Sequence, residues 1–239
     1  FEKRGNSFKN MHTLFPSILA KLCKQYNLKH FIHLSALGIN QAVSSDYAKS
    51  KLEGEKQILN NFSLSTILRP SVVFSVDDNF TTSFMTLLNR LPMFPLYHLG
   101  KTKFMPIHST DLVDIIFNVI SKNIYSQIIE WVGPETLSLK EILKKLLYLI
   151  DKKKLLIPMP LFLGKLTAKI FQLFPKPLLT EDQLELLKYD NIISGVYKTN
   201  FDIGFPAKKF FTEEVNKYCF MWKDGGQYSK MKTIKERSN

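Results

Sequence analysis

The chain has 239 residues, 45% of them hydrophobic, and a formal net charge of +12. That length and apolar content support one large core, or a core with a small lobe. No uninterrupted apolar run reaches about 18 residues, which excludes a transmembrane helix, and no zinc finger or other nucleic-acid-binding motif accompanies the charge. The positive surface fits an anionic lipid, an acidic partner or nucleic acid, or reflects only the composition bias of an AT-rich genome.

Cysteine and histidine usage predicts no metal site. The two unpaired-looking cysteines, Cys23 and Cys219, lie far apart in helix-like contexts and suit a reducing compartment. The five histidines show no spacing typical of metal ligands.

The first predicted helix begins at Asn6 or Ser7 and ends near Tyr26. Its apolar residues recur at helical spacing, and Pro16 predicts a kink or a break within it. An apolar strand at residues 30–34 follows. A helix followed by a strand is typical of a doubly wound sheet.

Residues 31–51 are the most informative stretch of the chain. The run FIHLSALG at residues 31–38 predicts a buried parallel strand that opens into a loop at Ser35. The polar residues 44–46 suit the start of the next helix. In that helix Tyr47 and Lys51 are four residues apart, so they share one face.

This spacing of Tyr47 and Lys51 is suited to proton transfer. An ammonium group one turn from a phenol favours the phenolate, so we expect the pKa of Tyr47 to be lowered. Lys51 can also donate to a ribose hydroxyl, and Ser35 can hold a carbonyl or hydroxyl group in front of the tyrosine. The competing interpretation is structural, because an exposed helix face often carries tyrosine and lysine without any function.

A second strand is predicted at residues 65–69, and Pro70 stops it. The loop beyond the carboxyl end of such a strand is where open α/β sheets bind ligands. Glu55 lies four residues after Lys51, and we expect an exposed ion pair between them, worth roughly a few tenths of a kcal/mol.

The rest of the chain alternates helices with short strands. Helices are predicted at residues 77–91, 111–121, 139–150, 161–174 and 181–188, and strands at 104–107 and 128–132. Ser138 and Glu141 form a capping-box pattern. Segment 161–174 carries Lys165 and Lys169 among bulky apolar residues, so it is either an interfacial helix or, as we favour, a helix packed on the core.

Several segments together resemble the extended and atypical short-chain dehydrogenase/reductase family, which includes NAD-dependent epimerases and dehydratases. HLSALG, YAKSK followed by LEGE, and ILRPSVVF occur in the family's order and spacing. FMPIH with Asp111, VGPE, PLLTEDQ and DNIIS fit the family's nucleotide-binding branch in respiratory complex I and the bacterial relatives of that branch. The likeness covers about residues 1–211.

The resemblance implies a site. Tyr47 would act as the general acid/base, Lys51 would adjust the pKa of Tyr47, and Ser35 would orient a substrate carbonyl group. The cofactor would be NADP or NAD, and its nicotinamide would lie against the loop after the second strand. The implied cofactor-binding residues are Ser35, Tyr47, Lys51, Pro70, Ser71, Val72 and Val73.

The expected fold is α/β, with a Rossmann-like, doubly wound parallel sheet and a small, mainly helical C-terminal lobe. Residues 1–93 would be the C-terminal half of the dinucleotide-binding domain, 94–220 a substrate-side lobe interleaved with it, and 221–239 a basic tail without fixed structure. No GxGxxG motif is present. The first βαβαβ half of such a fold takes about 80 residues, so we expect that half to lie upstream of Phe1.

Two functions compete. The first is a NAD(P)-binding accessory subunit of respiratory NADH:quinone oxidoreductase (complex I), with a mainly structural cofactor. It would be peripheral, on the cytoplasmic face of a bacterial inner membrane or the matrix side in mitochondria, and would contact complex I subunits and an anionic membrane surface. The second is a soluble cytoplasmic reductase, epimerase or dehydratase that acts on a nucleotide-sugar or isoprenoid-like substrate. We favour the first; nucleic-acid binding is suggested only by the charge.

Overall fold

The structure, a computed structural model, describes residues 7–171 and 179–229. The strands are β1 (Phe31–Leu34), β2 (Ser65–Pro70), β3 (Val73–Phe74), β4 (Met93–Leu96), β5 (Lys103–Phe104), β6 (Ile107–His108), β7 (Gln127–Trp131), β8 (Leu137–Ser138), β9 (Leu155–Pro158) and β10 (Lys198–Thr199). The helices are α1 (Phe15–Gln25), α2 (Asp46–Asn61), α3 (Thr81–Arg90), α4 (Ser109–Ser121), α5 (Leu139–Leu149), α6 (Leu161–Phe171), α7 (Glu181–Leu186) and α8 (Phe211–Asn216).

The main sheet consists of four parallel strands in the order β1-β2-β7-β10. Successive side chains of a strand point to opposite faces, so Ile67 and Leu68 of the central strand β2 enter different cores. Ile67 packs with α1 and α2 through Ala20, Cys23, Ile58 and Phe62. Leu68 packs with α4 through Leu112, Ile115 and Val119. Helices therefore cover both faces of the sheet, and the predicted α/β fold is confirmed.

The helix before β1 changes type near Pro16. Residues Lys9–Leu14 form a π-helical turn, and α1 begins at Phe15 with Pro16 in its first turn. Proline has no N–H to donate to the carbonyl four residues earlier, which belongs to His12. The break predicted at Pro16 is therefore confirmed, as a change of helix type.

The π-helical turn packs closely on α2. A Cβ atom on Gly54 would lie 1.9 Å from the carbonyl oxygen of His12, so glycine is required at this contact. Thr13 Oγ1 donates to the carbonyl of Ser50 over 3.0 Å, and His12 Nδ1 lies 2.9 Å from Ser50 Oγ. These contacts fix the position of the helix that carries Tyr47 and Lys51.

The bulky residues that gave the first helix its periodicity mostly face outwards. Met11, Phe15 and Ile18 are about half exposed, whereas α1 buries the smaller Ser17 and Ala20. Small side chains let α1 lie close to the sheet and to α2. The apolar periodicity thus predicted the helix but not the face that it buries.

The C-terminal lobe contains a second core. In it β4 pairs in parallel with β9, β5 pairs antiparallel with β8, and α3, α5 and α8 pack together. Leu88, Leu143 and Val215 come from these three helices and are fully buried. Burying one such side chain contributes about 1.5–3 kcal/mol relative to leaving it exposed.

The start of α5 confirms the predicted capping box. Ser138 Oγ accepts from the backbone N–H of Glu141 over 3.2 Å, and Glu141 Oε2 accepts from the backbone N–H of Ser138 over 2.7 Å. Ser138 Oγ also donates to Glu141 Oε2 over 2.7 Å, and this bond, followed by the one from the Ser138 backbone N–H, lowers the pKa of Glu141. The helix therefore begins where the sequence predicts.

Two predicted segments lie partly outside the described residues. Helix α6 covers the first part of segment 161–174, and residues 172–174 are outside the description. The predicted tail at 221–239 starts in an ordered region, because Cys219–Trp222 and Gly226–Tyr228 form 3₁₀ turns. Residues 230–239 are outside the description. Within residues 7–171 and 179–229, no helix combines the length and hydropathy that a membrane crossing needs.

Candidate functional site

The candidate site lies where the carboxyl ends of β1 and β2 meet. Pairing with β2 continues past the end of β1, since the N–H of Ser35 donates to Leu68 O over 2.7 Å and the N–H of Leu37 donates to Pro70 O over 2.9 Å. Gly38 then turns the chain with a φ of 77°, a conformation that glycine adopts at no steric cost. Ser35 Oγ is buried and makes no hydrogen bond within the described part of the chain.

Helix α2 brings Tyr47 and Lys51 to this edge of the sheet. Ser45 caps the helix by accepting from the N–H of Ala48 over 3.1 Å. Lys51 Nζ donates to the carbonyl of Leu34 over 3.0 Å and lies 6.0 Å from the centre of the Tyr47 ring. The two side chains are thus neighbours, as their spacing predicts, and Lys51 is tied to the strand end that carries Ser35.

The predicted electrostatics of the pair require a correction. Burial raises the pKa of Tyr47, and the negative charge of Asp182 raises it further. Burial also lowers the pKa of Lys51, against the opposing effect of Glu55. Desolvation therefore opposes the expected effect of the lysine charge and favours the protonated form of the Tyr47 phenol.

A cavity of about 390 Å³ opens beside these residues. Ser35 and Tyr47 line it, and so does the loop after β2 through Pro70, Ser71, Val72 and Val73. Lys51 is the one predicted site residue that does not line the cavity; it contacts the end of β1 instead. The structure thus brings the predicted catalytic and cofactor-side residues to one place.

Asn191 is a site residue that the sequence reasoning missed. Its Oδ1 accepts from Ser71 Oγ over 2.5 Å and from the N–H of Val72 over 3.2 Å. Its Nδ2 donates to Leu37 O over 2.8 Å. One amide therefore joins the loops that follow β1 and β2. The DNIIS segment carried the signal, although nothing in the sequence showed which loops it joins.

Asp182 also reaches the site from the C-terminal lobe. Its carboxylate accepts from Ser45 Oγ over 3.0 Å and from the N–H of Asp46 over 2.9 Å. Ser45 and Asp46 begin α2, so the lobe holds the N-terminal end of the helix that carries Tyr47. A carboxylate at a helix N-terminus is also favoured by the helix dipole.

The predicted ion pair between Glu55 and Lys51 is wrong. Glu55 is buried and pairs with Arg69, whose Nε and second terminal nitrogen donate to the two carboxylate oxygens over 2.9 and 2.6 Å. The guanidinium also donates to Asn40 Oδ1 over 3.1 Å and lies 4.6 Å from the ring centre of Tyr197. The pair ties α2 to β2 inside the protein, where a guanidinium fits a carboxylate better than an ammonium does.

The carboxylate of Asp111, within a segment typical of the family, has a structural partner. Its Oδ2 accepts from the backbone N–H groups of Lys208 and Lys209, each over 2.9 Å. The described residues contain no group of three or more histidine, cysteine, aspartate or glutamate side chains placed to hold a metal ion.

Curated proteins of two kinds are similar to the chain, whereas no protein-family model matches it. It is 28% identical over 196 residues to NADH dehydrogenase (ubiquinone) 1 alpha subcomplex subunit 9, mitochondrial, of Mus musculus, over 81% of this chain and 52% of that protein. It is 24% identical over 210 residues to the NADH-ubiquinone oxidoreductase 40 kDa subunit, mitochondrial, of Neurospora crassa, over 87% and 55% respectively. It is 26% identical over 186 residues to UDP-glucose 4-epimerase of Vibrio cholerae, over 69% and 56%. The chain spans about half the length of the curated relatives it matches.

Solved structures share the fold at low sequence identity. The dTDP-glucose 4,6-dehydratase of Bacillus anthracis in complex with NAD matches with a TM-score of 0.63 and 14% identity, over 90% of this chain and 68% of that chain. The dTDP-4-dehydrorhamnose reductase of the same organism in complex with NADP matches with a TM-score of 0.60 and 14% identity, over 87% and 70%. These structures confirm the predicted fold. The sequence relatives confirm the predicted resemblance to NAD-dependent epimerases and to the complex I branch.

Proposed function

We propose that the chain is part of a NAD(P)-binding accessory subunit of respiratory NADH:quinone oxidoreductase. The observation that carries the proposal is similarity over more than four fifths of the chain to complex I subunits of a mammal and a fungus. The partners would be other complex I subunits. The subunit would be peripheral, on the matrix side in mitochondria or the cytoplasmic face of a bacterial inner membrane.

The residues at the cavity fit a nicotinamide dinucleotide. Ser35 Oγ is buried without a partner in the described part of the chain, and so is free to bond a ligand oxygen. The loop of Pro70, Ser71, Val72 and Val73 would face the nicotinamide, and Lys51 would donate to a ribose hydroxyl. When bound, the dinucleotide supplies a hydride donor or acceptor. In the proposed subunit its main role would be structural.

The surface of α6 is suited to contact with a membrane. Phe162 and Leu166 are exposed, as is Leu155 of the neighbouring β9. Lys165 and Lys169 lie on the same helix. Exposed apolar side chains interspersed with lysines suit an interface with anionic lipid.

The proposal is tested with the whole protein, affinity-tagged and expressed in its native host. Solubilised membranes are run on a native gel and stained for NADH dehydrogenase activity. We expect the tag to migrate with the active high-mass band. A tag found only in a small soluble species would overturn the proposal.

The second candidate is a free NAD(P)-dependent reductase, epimerase or dehydratase. It is supported by the similarity to UDP-glucose 4-epimerase and by the shared location of Ser35, Tyr47 and Lys51. Tyr47 would donate the proton and Ser35 would orient the reacting oxygen. Tyr47→Phe should then abolish turnover and leave the fold intact, whereas in the accessory subunit the same change should leave assembly unaffected. Turnover that survives the change would remove Tyr47 from the acid/base role.

A further inference from the structure

We propose that His12 is a positioning residue for Tyr47. It holds the tyrosine ring through an edge-on ring contact, and it bonds the turn of α2 that lies between Tyr47 and Lys51. The inference rests on the proposed role of Tyr47 beside the dinucleotide. It adds to the site a residue that the sequence reasoning considered only as a possible metal ligand.

The first observation is a cluster of three aromatic rings. The rings of His12 and Tyr47 are nearly perpendicular, with an angle of 89° between their planes and 5.2 Å between their centres. Phe8 stacks on His12 at 5.3 Å and also meets Tyr47 edge-on at 5.9 Å. Edge-to-face contacts at such distances are favourable beyond the apolar area that they bury. Tyr47 also packs with Ile39 and Ala42 of the loop after β1, so two parts of the chain hold its ring.

The second observation shows which nitrogen of His12 carries the proton. Ser50 Oγ has one proton, and it donates that proton to the carbonyl of Tyr47 over 2.7 Å. Ser50 Oγ therefore accepts from His12 Nδ1, which lies 2.9 Å away. In its neutral form His12 thus carries its proton on Nδ1, and this hydrogen bond fixes the orientation of the imidazole ring against Tyr47.

The surroundings of His12 keep it uncharged. Burial, and then the positive charge of Lys51, lower the pKa of His12 to about 4. The pKa of His33 on β1 is lowered to about 4 as well, by burial and then by Lys51 and His12. Both histidines are therefore neutral near Lys51 at neutral pH. The effect of His12 on Tyr47 is then one of position and of exclusion of water, and not of charge.

The third observation is the backbone that presents His12. The residue lies in the π-helical turn Lys9–Leu14, and such turns are rare and occur frequently at functional sites. Thr13 Oγ1 ties this turn to α2 by donating to the carbonyl of Ser50 over 3.0 Å. The close approach of the His12 carbonyl to Gly54 fixes the turn at a second point. The position of His12 relative to α2 is thus set independently of its contact with Tyr47.

His30 makes the same two kinds of contact at another place in the chain. Its Nε2 lies 2.9 Å from Thr66 Oγ1, and its ring meets the ring of Tyr125 edge-on with 4.7 Å between the centres. None of these three residues is among the described residues that line the cavity. A histidine that only packs can therefore be compared with one that positions the tyrosine of the site.

The test uses the whole protein with ¹³C-labelled tyrosine and without added dinucleotide. NMR coupling constants give the χ1 rotamer of Tyr47, and a titration gives its pKa. His12→Asn keeps a donor on the atom bonded to Cγ and loses the ring, whereas His12→Phe keeps a ring and loses the donor. His30→Asn is the matched control.

We expect one χ1 rotamer of Tyr47 in the unmodified protein and in His30→Asn. In His12→Asn we expect averaged rotamers and a pKa closer to the ordinary value, because water then reaches the phenol while the charges of Asp182 and Lys51 are unchanged. His12→Phe should recover the single rotamer. A Tyr47 that is unchanged in His12→Asn, or changed equally in His30→Asn, would overturn the inference.

A second measurement keeps the inference testable if His12→Asn does not fold. ¹⁵N NMR of the histidines in the unmodified protein should show a neutral His12 with its proton on Nδ1 at neutral pH. A proton on Nε2 instead, or a charged imidazolium, would overturn the inference.

NADPH binding connects the position of Tyr47 to the site. His12→Asn should weaken NADPH binding by about two- to tenfold, which corresponds to the energy of an edge-to-face ring contact, and His30→Asn should not weaken it. Equal NADPH affinities of the two variants would also overturn the inference. If the unmodified protein binds no NADPH, the proposed dinucleotide site fails, and the rotamer and pKa of Tyr47 still decide whether His12 positions it.

Discussion

The two walls of the cavity differ in how the chain builds them. One wall comes from β1, β2 and α2 and carries Ser35 and Tyr47. The other comes from the segment around and after α7, whose Asn191 bonds Ser71 across 120 residues of sequence. The first wall holds the groups suited to proton transfer. The second fixes the loops and adds apolar side chains such as Leu186 and Tyr189 to the lining, so the reactive groups are local in sequence while the shape of the cavity depends on distant parts of the chain.

The largest effect is expected in the first wall, from Arg69→Met. The change leaves the Glu55 carboxylate buried without its partner, so the free energy of unfolding should fall by about 3–5 kcal/mol. Urea denaturation of the whole protein measures this loss. The double variant Glu55→Leu with Arg69→Met removes both charges and should recover most of it. If the single variant costs less than about 1 kcal/mol, the buried pair does not hold α2 to β2 as described.

Asn191→Ala tests the second wall. Ser71 and the N–H of Val72 lose their shared acceptor, so we expect the free energy of unfolding to fall by about 1–3 kcal/mol. Asn118→Ala is the control, because this partly exposed asparagine donates to a carbonyl within its own helix, that of Asp114. Equal effects of the two changes would show that Asn191 does not join the two loops.

Asp182→Asn should have the smallest effect on stability and the clearest effect on the site. Removing the charge should lower the pKa of Tyr47 towards its ordinary value, although burial still raises it. Because the folded pKa is raised, the stability that this phenol contributes is present below the pKa of the unfolded chain and is lost as the pH rises towards the folded pKa. In Asp182→Asn that alkaline loss should be smaller. NMR titration of ¹³C-labelled tyrosine measures the pKa.

Asp224→Asn provides the control for this titration, since Asp224 is exposed and pairs with Lys152. It should not change the pKa of Tyr47. A pKa of Tyr47 that stays the same in Asp182→Asn would remove Asp182 from the electrostatics of the site.

The sequence predicted the first wall because its signals are local. An apolar run predicted β1, and capping residues predicted the start of α2. A spacing of four residues predicted that Lys51 lies beside Tyr47. The direction of the Tyr47 pKa shift could not be predicted, because it depends on burial by other parts of the chain. The partner of Glu55 was missed for the same reason, since the spacing to Lys51 suggested a local pair while the fold brought Arg69 within reach.

Local sequence patterns could not predict the second wall of the cavity. The DNIIS and PLLTEDQ segments were recognised as typical of the family, but their contacts with Ser71 and Ser45 span 120 and 137 residues. No periodicity or spacing rule reaches so far. The apolar character of the cavity could likewise not be predicted, because it depends on the packing of the α7 region against the loop after β1.

The most direct test of the central claim, a dinucleotide held at Ser35, Tyr47 and Lys51, is the nucleotide content of the whole protein. The tagged protein and its Lys51→Gln and Lys49→Gln variants are purified from the native host, and NAD and NADP released by acid or alkali are quantified. Lys49 is exposed on the same helix and serves as the matched control. We predict bound dinucleotide in the unmodified protein and in Lys49→Gln, and a strong loss in Lys51→Gln. Protein that carries no dinucleotide, or a Lys51→Gln variant that keeps its full content, would contradict the account.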